Sequence, residues 1–180
     1  MRIIGGEFKG RNLVPFNGDK IRPTSDMARE SFFNIMRDEI YGCNFLDLFC
    51  GTGAVGIEAL SRGANFVALN DSQKDSLAVV KKNLEKIGNP KAVEVFNKDA
   101  KIFIETTNKV FDVIYVDPPY KSGLYESVLK AIAESGVLSE KGVVAVETET
   151  PYEGETFGLV KTDERKYGRV RITFFKKEKL

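Results

Sequence analysis

The stretch LDLFCGTGAVGIEAL, residues 46–60, decides the fold of this chain of 180 residues. An apolar run of strand length leads into a glycine-rich turn, and the residues after Gly53 have the spacing of a helix. Gly51 and Gly53 let the backbone pass close to a ligand without a Cβ in the way. Gly56 allows the helix to pack closely on its neighbours. The stretch therefore predicts a strand, a ligand-binding turn and a helix.

Strands and helices alternate on the C-terminal side of this stretch. The apolar runs predict strands at 44–49, 65–70, 92–97, 111–117 and 142–148, with helices at 54–62, 73–87, 100–107 and 123–135. Two last runs, GLVKTDERKYG and RVRITFFKK, are typical of an antiparallel pair with a tight turn near Gly168. Such an alternation indicates an α/β fold, whose mostly parallel sheet binds ligands at the carboxyl ends of its strands.

The N-terminal side predicts a small appendage to this sheet. Two short apolar runs separated by GGEFKGR indicate a hairpin over residues 2–16, and the apolar spacing after it indicates a helix over residues 24–39. We see no repeat and no linker. We therefore expect one domain over residues 1–180, with 1–23 as a hairpin extension and 24–180 as the core.

The composition excludes several classes of chemistry. No histidine is present, so no imidazole base and no histidine-liganded metal site is available. Two cysteines, Cys43 and Cys50, give no disulfide framework, and we predict no metal site. The start MRIIGGEFKGR lacks the hydrophobic region of a secretory signal, and no apolar run reaches the length of a membrane span. We expect a cytoplasmic protein that has no membrane contact.

The net charge of +1 hides an uneven distribution. Residues 1–29 carry six Lys/Arg and three Asp/Glu, and residues 161–180 carry eight and three. The part between them therefore has a charge of −7. Such asymmetry is a hint of nucleic-acid contact at the basic segments, although solvated surface charge gives the same pattern.

The glycine-rich turn admits two kinds of nucleotide ligand. Taken literally, GTGAVG matches the dinucleotide fingerprint, and Asp71 follows at the end of the next predicted strand, where an acid can accept hydrogen bonds from ribose hydroxyls. One interpretation of this motif is therefore a nicotinamide-dependent oxidoreductase, and another is a turn that binds no ligand. Asp47, however, lies before the turn, where its carboxylate would repel a pyrophosphate and would suit a cationic methionine group. We also identify no residue in the sequence as the proton donor or acceptor that a hydride-transfer site needs.

A second motif, VIYVDPPY at residues 113–120, ends the fourth predicted strand. Two prolines stiffen the loop, which lies where an active site belongs in this architecture. Asp117 and the carbonyl of Pro118 are two acceptors that can hold an exocyclic amine and free its lone pair, and Tyr120 offers a face on which a base can stack. Positive charge would grow beside Asp117 as the amine attacks a sulfonium methyl. A plain strand-terminating turn is the alternative.

These motifs resemble those of a known family. The sequence Asp117-Pro-Pro-Tyr120 resembles the (D/N)PPY motif of amino-methyltransferases, and LDLFCGTGAVGIEAL is similar to their cofactor-binding motif. The opening MRIIGGEFKGRNL, the segment IRPTSDMARESFFNIM and the closing KYGRVRITFFKK resemble the RsmD family, the bacterial 16S ribosomal RNA guanine-N2 methyltransferases. The resemblance covers essentially the whole chain.

The resemblance implies a Rossmann-like class I methyltransferase, with a seven-stranded, mostly parallel sheet whose last strand is antiparallel. It implies S-adenosylmethionine as methyl donor and guanine N2 in small-subunit ribosomal RNA, free or in an assembling 30S particle, as target. The catalytic residues would be Asp117, Pro118 and Tyr120. The cofactor-side residues would be Asp47, Gly51 and Gly53 at the methionine and ribose, Asp71 at the ribose, Asp99 and Ala100 at the adenine, and Arg22 and Thr24 at the border of the pocket.

Two details stay open at this point. The family has glutamate more often at the position of Asp71, so Asn70 could share the ribose. An adenine-N6 methyltransferase acting on RNA or DNA is the closest alternative function, because the DPPY motif serves both amines. Outside this chemistry, a nicotinamide oxidoreductase and an RNA-binding module without catalysis remain to be distinguished.

Overall fold

Helices and strands alternate along the part of the chain that the computed structural model describes, residues 1–16, 26–119 and 122–178. The elements, in chain order, are α1 (Asp26–Ile35), α2 (Arg37–Ile40), β1 (Asn44–Asp47), α3 (Ala54–Ser61), β2 (Phe66–Asn70), α4 (Lys74–Lys86), β3 (Val93–Phe96), α5 (Ala100–Thr106), β4 (Phe111–Val116), α6 (Leu124–Ser135), β5 (Leu138–Thr148), β6 (Leu159–Tyr167) and β7 (Val170–Lys177).

The strands form one seven-stranded sheet in the order β3-β2-β1-β4-β5-β7-β6. The first five strands of the chain pair in parallel, and β7 lies antiparallel between β5 and β6. The predicted α/β sheet and the predicted terminal pair, which turns at Gly168, are thus confirmed. The chain order reverses between β1 and β4, which is the position where open sheets of this kind bind ligands.

Two predicted strand limits were wrong by more than one residue. Strand β1 ends at Asp47 rather than at residue 49, because the chain already turns toward the glycine-rich loop and only the Leu48 N–H still reaches the carbonyl of Tyr115, at 3.1 Å. Strand β5 begins at Leu138 rather than at residue 142. A shift in the β4–β5 register allows the polar residues that follow Leu138, which resemble a turn in the sequence, to remain in the strand.

The predicted helix over residues 24–39 is two helices in the described part of the chain. Met36 interrupts it with backbone angles of −89° and 15°, and the short helix α2 follows. Met36 and Ile40 are both buried in the core. Residues 24 and 25 lie outside the described residues.

Helices cover both faces of the sheet, so the core has two layers. Side chains of α1, α3 and α4 pack on one face together with the N-terminal segment, and those of α5 and α6 pack on the other. Gly56 permits a close approach of α3 to the sheet, since a Cβ added there would lie 2.2 Å from Cδ2 of Leu69. None of the helices in the described ranges is both long enough and apolar enough to cross a membrane.

Residues 1–16 fold back on themselves with a single antiparallel bridge, Arg2 to Asn12, rather than with two regular strands. Ile3, Phe8 and Leu13 of this N-terminal segment are buried in the core. The turn of the segment rests on the end of α3, where the hydroxyl of Ser61 accepts a hydrogen bond from the N–H of Phe8 at 2.9 Å. Backbone hydrogen bonds to helix α3 thus fix the segment on the sheet domain.

Glu58 of α3 is the centre of this attachment. Its carboxylate accepts hydrogen bonds from the N–H groups of Ile4 and Gly5, each at 2.8 Å, and from Nε of Arg62 at 2.8 Å. Nε of the buried Arg29 lies 3.9 Å from the same carboxylate. Glu58 is fully buried and Arg29 is 1% exposed, so neither charge can turn to water if its partner is lost.

Replacing Glu58 should therefore destabilise the protein strongly. We expect Glu58→Ala to lower the free energy of unfolding by about 3–5 kcal/mol, the usual range when one partner of a buried ion pair is removed. Urea unfolding measures this change. Glu105→Ala is the matched control, because Glu105 pairs with Lys101 on the same helix in an exposed contact of 3.7 Å, which is worth about 0.5 kcal/mol at most. If the two variants lost the same free energy of unfolding, this role for Glu58 would be contradicted.

Candidate functional site

Four carboxylates lie at the carboxyl ends of four neighbouring strands. Asp47 ends β1, Asp71 follows β2, Asp117 follows β4, and Glu147 is the last residue but one of β5. All four line the same cleft. With strands about 4.8 Å apart, the row from Asp71 to Glu147 spans three strand spacings, roughly 14 Å. We call these residues the carboxylate row.

The strand register aligns the row. Asp47 pairs with Leu69 on one side and with Tyr115 on the other, and Tyr115 pairs in turn with Ala145. Side chains alternate along a strand, so each of the other three acids lies two residues beyond one of these partners and belongs to the same face. Asp47 therefore lies deeper in the cleft than its three neighbours.

The cleft has a volume of about 360 Å³, which lies within the usual range for a small-molecule site. Its wall contains five acidic side chains, those of the carboxylate row and Glu149, and no lysine or arginine side chain among the described residues. The surroundings therefore favour a cationic ligand and disfavour phosphate groups.

Asp47 is the most deeply buried acid of the row, at 2% exposure. Its Oδ2 accepts a hydrogen bond from the N–H of Gly56 at 2.9 Å, at the start of α3. Burial, together with the neighbouring charges of Asp71 and Glu147, raises the pKa of Asp47 to about 7, although the hydrogen bond from Gly56 acts in the opposite direction. A cation bound nearby would hold this carboxyl in its charged form.

Asp71 is tied to the glycine-rich turn. Its Oδ2 accepts a hydrogen bond from the N–H of Gly51 at 2.9 Å, and its Oδ1 accepts one from the N–H of Gln73 at 2.8 Å. Gly51 has a φ of 53°, in the region that favours glycine. Burial raises the pKa of Asp71. Its carboxylate is thus fixed at the rim of the cleft, and its remaining lone pairs suit a hydroxyl donor.

Asn70 does not share this position. It is buried, and its amide donates hydrogen bonds to the carbonyls of Leu48 and Lys98, each at 3.1 Å. It joins the ends of three strands instead of facing the cleft.

Tyr115 and Glu147 form a buried pair in the floor of the cleft. The Tyr115 hydroxyl donates a hydrogen bond to Oε2 of Glu147 at 2.5 Å. Burial raises the pKa of Tyr115 well above its ordinary value, and the charges of Glu147 and Asp117 act in the same direction, so the phenol keeps its proton. The hydroxyl of Tyr125, from α6, donates to the backbone carbonyl of Glu147 at 3.1 Å.

The loop after β4 brings Asp117, Pro118 and Pro119 into the wall of the cleft. The predicted stacking residue Tyr120 lies outside the described residues, as do the predicted border residues Arg22 and Thr24. The N-terminal segment contributes Met1, Pro15 and Phe16 to the lining of the same cleft. Its attachment to α3 therefore shapes the cleft.

The structure brings together some of the predicted site residues and not others. Asp47, Gly51, Asp71, Asp117 and Pro118 share the cleft. The other described ones are Gly53, Asp99 and Ala100. Gly53 is the residue before α3, with a φ of 79°, and is not part of the wall.

Asp99 and Ala100 also lie outside the wall. Asp99 caps α5, because its Oδ1 accepts a hydrogen bond from the N–H of Ile102 at 3.1 Å. Ala100 is buried at the start of the same helix.

Sequence reasoning missed Glu147, Glu149 and Tyr125 as members of the site. A charged residue at the carboxyl end of an otherwise apolar strand was the available signal for Glu147, since it repeats the pattern of Asp47 and Asp117. Cys50 also lines the cleft, but burial raises its pKa well above the ordinary value, so it is not a thiolate. Among the described residues, no group of three or more His, Cys, Asp or Glu could hold a metal ion.

The basic C-terminal segment is partly neutralised within the chain. Arg165 forms an ion pair with Asp163 at 2.9 Å, and Arg171 forms one with Glu164 at 3.1 Å. The hydrogen bond from Lys161 lowers the pKa of Glu164. Lys166 and Arg169 make no ion pair with any described residue, so they are the better candidates for contact with an anionic partner.

Comparison with known proteins gives consistent similarities. The family described as Conserved hypothetical protein 95 matches residues 1–176. "Putative rRNA methyltransferase YlbH" of Bacillus subtilis is 37% identical over 98% of this chain and 99% of that protein. "Ribosomal RNA small subunit methyltransferase D" of Escherichia coli K12 is 35% identical over 83% of this chain and 75% of that protein.

Solved structures agree with these sequence matches. The structure of "Putative methyltransferase yhhF" from Escherichia coli has a TM-score of 0.88 and 30% identity, covering 99% of this chain and 98% of that one. The likeness and the strand order together confirm the Rossmann-like methyltransferase sheet that the family resemblance implied.

The pKa of Asp47 predicts a measurable pH dependence of stability. Because the folded pKa lies above the ordinary value of 3.8, the folded state binds the extra proton between about pH 4 and 7, and the wild type loses stability as pH rises through that window. Asp47→Asn keeps an acceptor for Gly56 and cannot ionise. We expect the variant to gain up to about 1.4 kcal/mol over the wild type per pH unit in the window.

Urea unfolding of both proteins at several pH values between 4 and 8 measures this difference. The free energies of unfolding of the wild type and of Asp47→Asn should become similar near the lower end of the pH range. A difference that does not change with pH would show that Asp47 is already ionised throughout, contrary to its burial.

Proposed function

Because the chain belongs to the RsmD family, the family of ribosomal RNA small subunit methyltransferase D, we propose that it methylates the exocyclic N2 amine of a guanine in small-subunit (16S) ribosomal RNA. The donor in this proposal is S-adenosylmethionine. The substrate is the RNA itself or an assembling 30S particle.

The carboxylate row is the observation that carries this proposal. One cleft holds two acids at the glycine-rich turn, Asp47 and Asp71, and two acids beside the rigid proline loop, Asp117 and Glu147. The first pair suits the cationic methionine and the ribose of the donor, and the second suits an amine that gains positive charge. The residues for binding the donor and the residues for holding the amine thus lie on neighbouring strands of one sheet.

The described residues fit S-adenosylmethionine better than a dinucleotide. The cofactor carries positive charge and no phosphate, and the described wall of the cleft has five acids and no lysine or arginine side chain. A pyrophosphate would lie among like charges there, which argues against the nicotinamide oxidoreductase. When bound, the cofactor supplies a methyl group on a sulfonium, which passes to a nucleophilic nitrogen while the electron pair of the broken bond stays on sulfur.

On the cofactor side we propose four described residues of the glycine-rich region. Asp47 holds the cationic methionine group, and Asp71 accepts hydrogen bonds from the ribose hydroxyls. Gly51 and Gly53 shape the turn beneath them. The further cofactor residues, proposed on the family resemblance alone, are Asp99 and Ala100 at the adenine and Arg22 and Thr24 at the border.

On the target side Asp117 and Pro118 hold the amine. The carboxylate of Asp117 and the carbonyl of Pro118 accept the two N–H bonds, which moves the nitrogen toward tetrahedral geometry and frees its lone pair. Pro118 has no N–H that could compete for these acceptors. Tyr120 provides the face on which the flipped base stacks. Asp117 also stabilises the positive charge that grows on the nitrogen, and no strong base is needed because a methylated ammonium loses its proton easily.

The RNA lies, in this proposal, across the basic ends of the chain. We propose that residues 1–180 form one domain in which 1–23 is an extension beside the cleft and 24–180 is the catalytic core. The N-terminal segment and the region of Lys166 and Arg169 would contact phosphates. A cytoplasmic location follows from the proposed substrate.

An adenine-N6 methyltransferase is the second candidate. The specific observation in its favour is the Asp117-Pro118-Pro119 loop itself, which offers two acceptors to any exocyclic amine. In this second candidate the methylated amine is N6 of an adenine in RNA or DNA.

Methyl transfer from labelled S-adenosylmethionine tests the proposal. Small-subunit RNA without its modifications is offered free and in particles, and the labelled nucleosides are identified after digestion. Label in N2-methylguanosine supports the proposal. Label in N6-methyladenosine would keep the chemistry and overturn the target. No label with either substrate, despite cofactor binding, would contradict the proposed activity.

Asp117→Ala separates catalysis from cofactor binding in the same assay. We expect the rate of transfer to fall at least about a hundredfold, as when a group that stabilises developing charge is removed. Cofactor affinity, measured by calorimetry, should stay within a few-fold of the wild type. Asp38→Ala, at an exposed position of α2, is the matched control and should leave both unchanged. Loss of affinity in Asp117→Ala equal to its loss of rate would overturn the role given to Asp117.

A further inference from the structure

Glu147 is a buried acid of the cleft for which the proposed function names no contact with a particular atom of the target base. It is 8% exposed and lies two residues beyond Ala145, the partner of Tyr115 in the β4–β5 register. Asp117 lies two residues beyond Tyr115. The two acids therefore stand side by side at the ends of adjacent parallel strands, about 4.8 Å apart in the direction across the sheet.

The structure holds Glu147 in a defined orientation. The Tyr115 hydroxyl donates to its Oε2 at 2.5 Å, and the ring of Tyr115 packs edge-on against Phe32 with centroids 4.9 Å apart. The hydroxyl of Tyr125 fixes the backbone of Glu147 from the other side. A carboxylate offers about four lone-pair sites and can accept several hydrogen bonds at once.

A purine beside Asp117 would present its Watson–Crick edge to this pair of acids. In guanine the donor N1–H lies next to the N2 amine, whereas in adenine the acceptor N1 lies next to the N6 amine. An ionised carboxylate accepts hydrogen bonds and donates none. A second carboxylate, beside the one that holds the amine, can therefore accept the N1–H of guanine. With adenine the same carboxylate would face the lone pair of N1, and the two acceptors would repel each other.

We propose that Glu147 is the specificity-determining residue of this site, accepting the N1–H of the target guanine while Asp117 holds the N2 amine. Tyr115 is its positioning residue. This inference rests on the proposed function and adds the atom by which the enzyme distinguishes guanine from adenine.

Exchange of one base in the substrate tests the proposal. 2-Aminopurine keeps the N2 amine, but its N1 is an acceptor without a hydrogen. RNAs with guanine or 2-aminopurine at the nucleotide that the wild type methylates are compared for kcat/KM with the wild type and with Glu147→Gln. The wild type should prefer guanine at least about a hundredfold, because a site built to bond a donor rejects the analogue that lacks it.

Glu147→Gln should reduce that preference at least tenfold. The amide oxygen can still accept the hydrogen bond from Tyr115, and the amide N–H₂ can donate to N1 of 2-aminopurine. Transfer to guanine should fall while transfer to 2-aminopurine holds or rises. A purely structural role for Glu147 would lower both rates together and leave the ratio unchanged.

Equilibrium binding without any methyl donor gives a second, independent readout. In a competition experiment between the two RNAs, Glu147→Gln should bind the guanine RNA with a smaller preference over the 2-aminopurine RNA than the wild type does. Glu149→Gln is the matched control, because this acid also lines the cleft but lies beyond the end of β5, and it should keep the wild-type ratio. If Glu149→Gln reduced the preference for guanine and Glu147→Gln did not, the role proposed for Glu147 would be overturned.

The outcomes separate this inference from the function on which it rests. A wild-type protein that forms N2-methylguanosine, together with an unchanged ratio in Glu147→Gln, overturns the role of Glu147 and leaves the proposed function standing. A wild-type protein that methylates no guanine overturns both.

Discussion

The electrostatic repulsion within the carboxylate row is the constraint on which the site depends. Asp71, Asp47, Asp117 and Glu147 face one cleft with no lysine or arginine side chain among its described lining. Burial and mutual repulsion raise the pKa of Asp47 to about 7, so the arrangement costs stability in the free protein. A positively charged ligand relieves that cost, and the cleft is therefore selective for cations before any shape is considered.

The fold supports this arrangement in two ways. The parallel register places one acid on the same face of each of four neighbouring strands, because their carboxyl ends meet at one edge. The N-terminal segment then closes one side of the cleft, and its position depends on hydrogen bonds to Glu58. A single buried carboxylate on α3 thus connects the stability of the domain with the shape of the site.

Much of this architecture could be predicted from the sequence, because strand and helix periods and the two motifs are local signals. The α/β sheet, the terminal antiparallel pair and the grouping of Asp47, Asp71 and Asp117 follow from them. The start of β5 was missed because a register shift keeps polar residues in the strand. Glu147 was missed although it repeats the local pattern of Asp47 and Asp117 at a strand end. Its hydrogen bond with Tyr115 joins neighbouring strands, and no local pattern predicts that contact.

In the proposed function, the carboxylate row holds the cofactor with its reactive side toward Asp117. A crystal structure with sinefungin, whose amine stands in place of the transferable methyl group, measures this directly. We expect to find the ribose hydroxyls at Asp71, the cationic methionine group near Asp47 and the amine directed toward Asp117. Binding outside this cleft, or inside it with the adenine against Asp117, would contradict the roles proposed for these carboxylates.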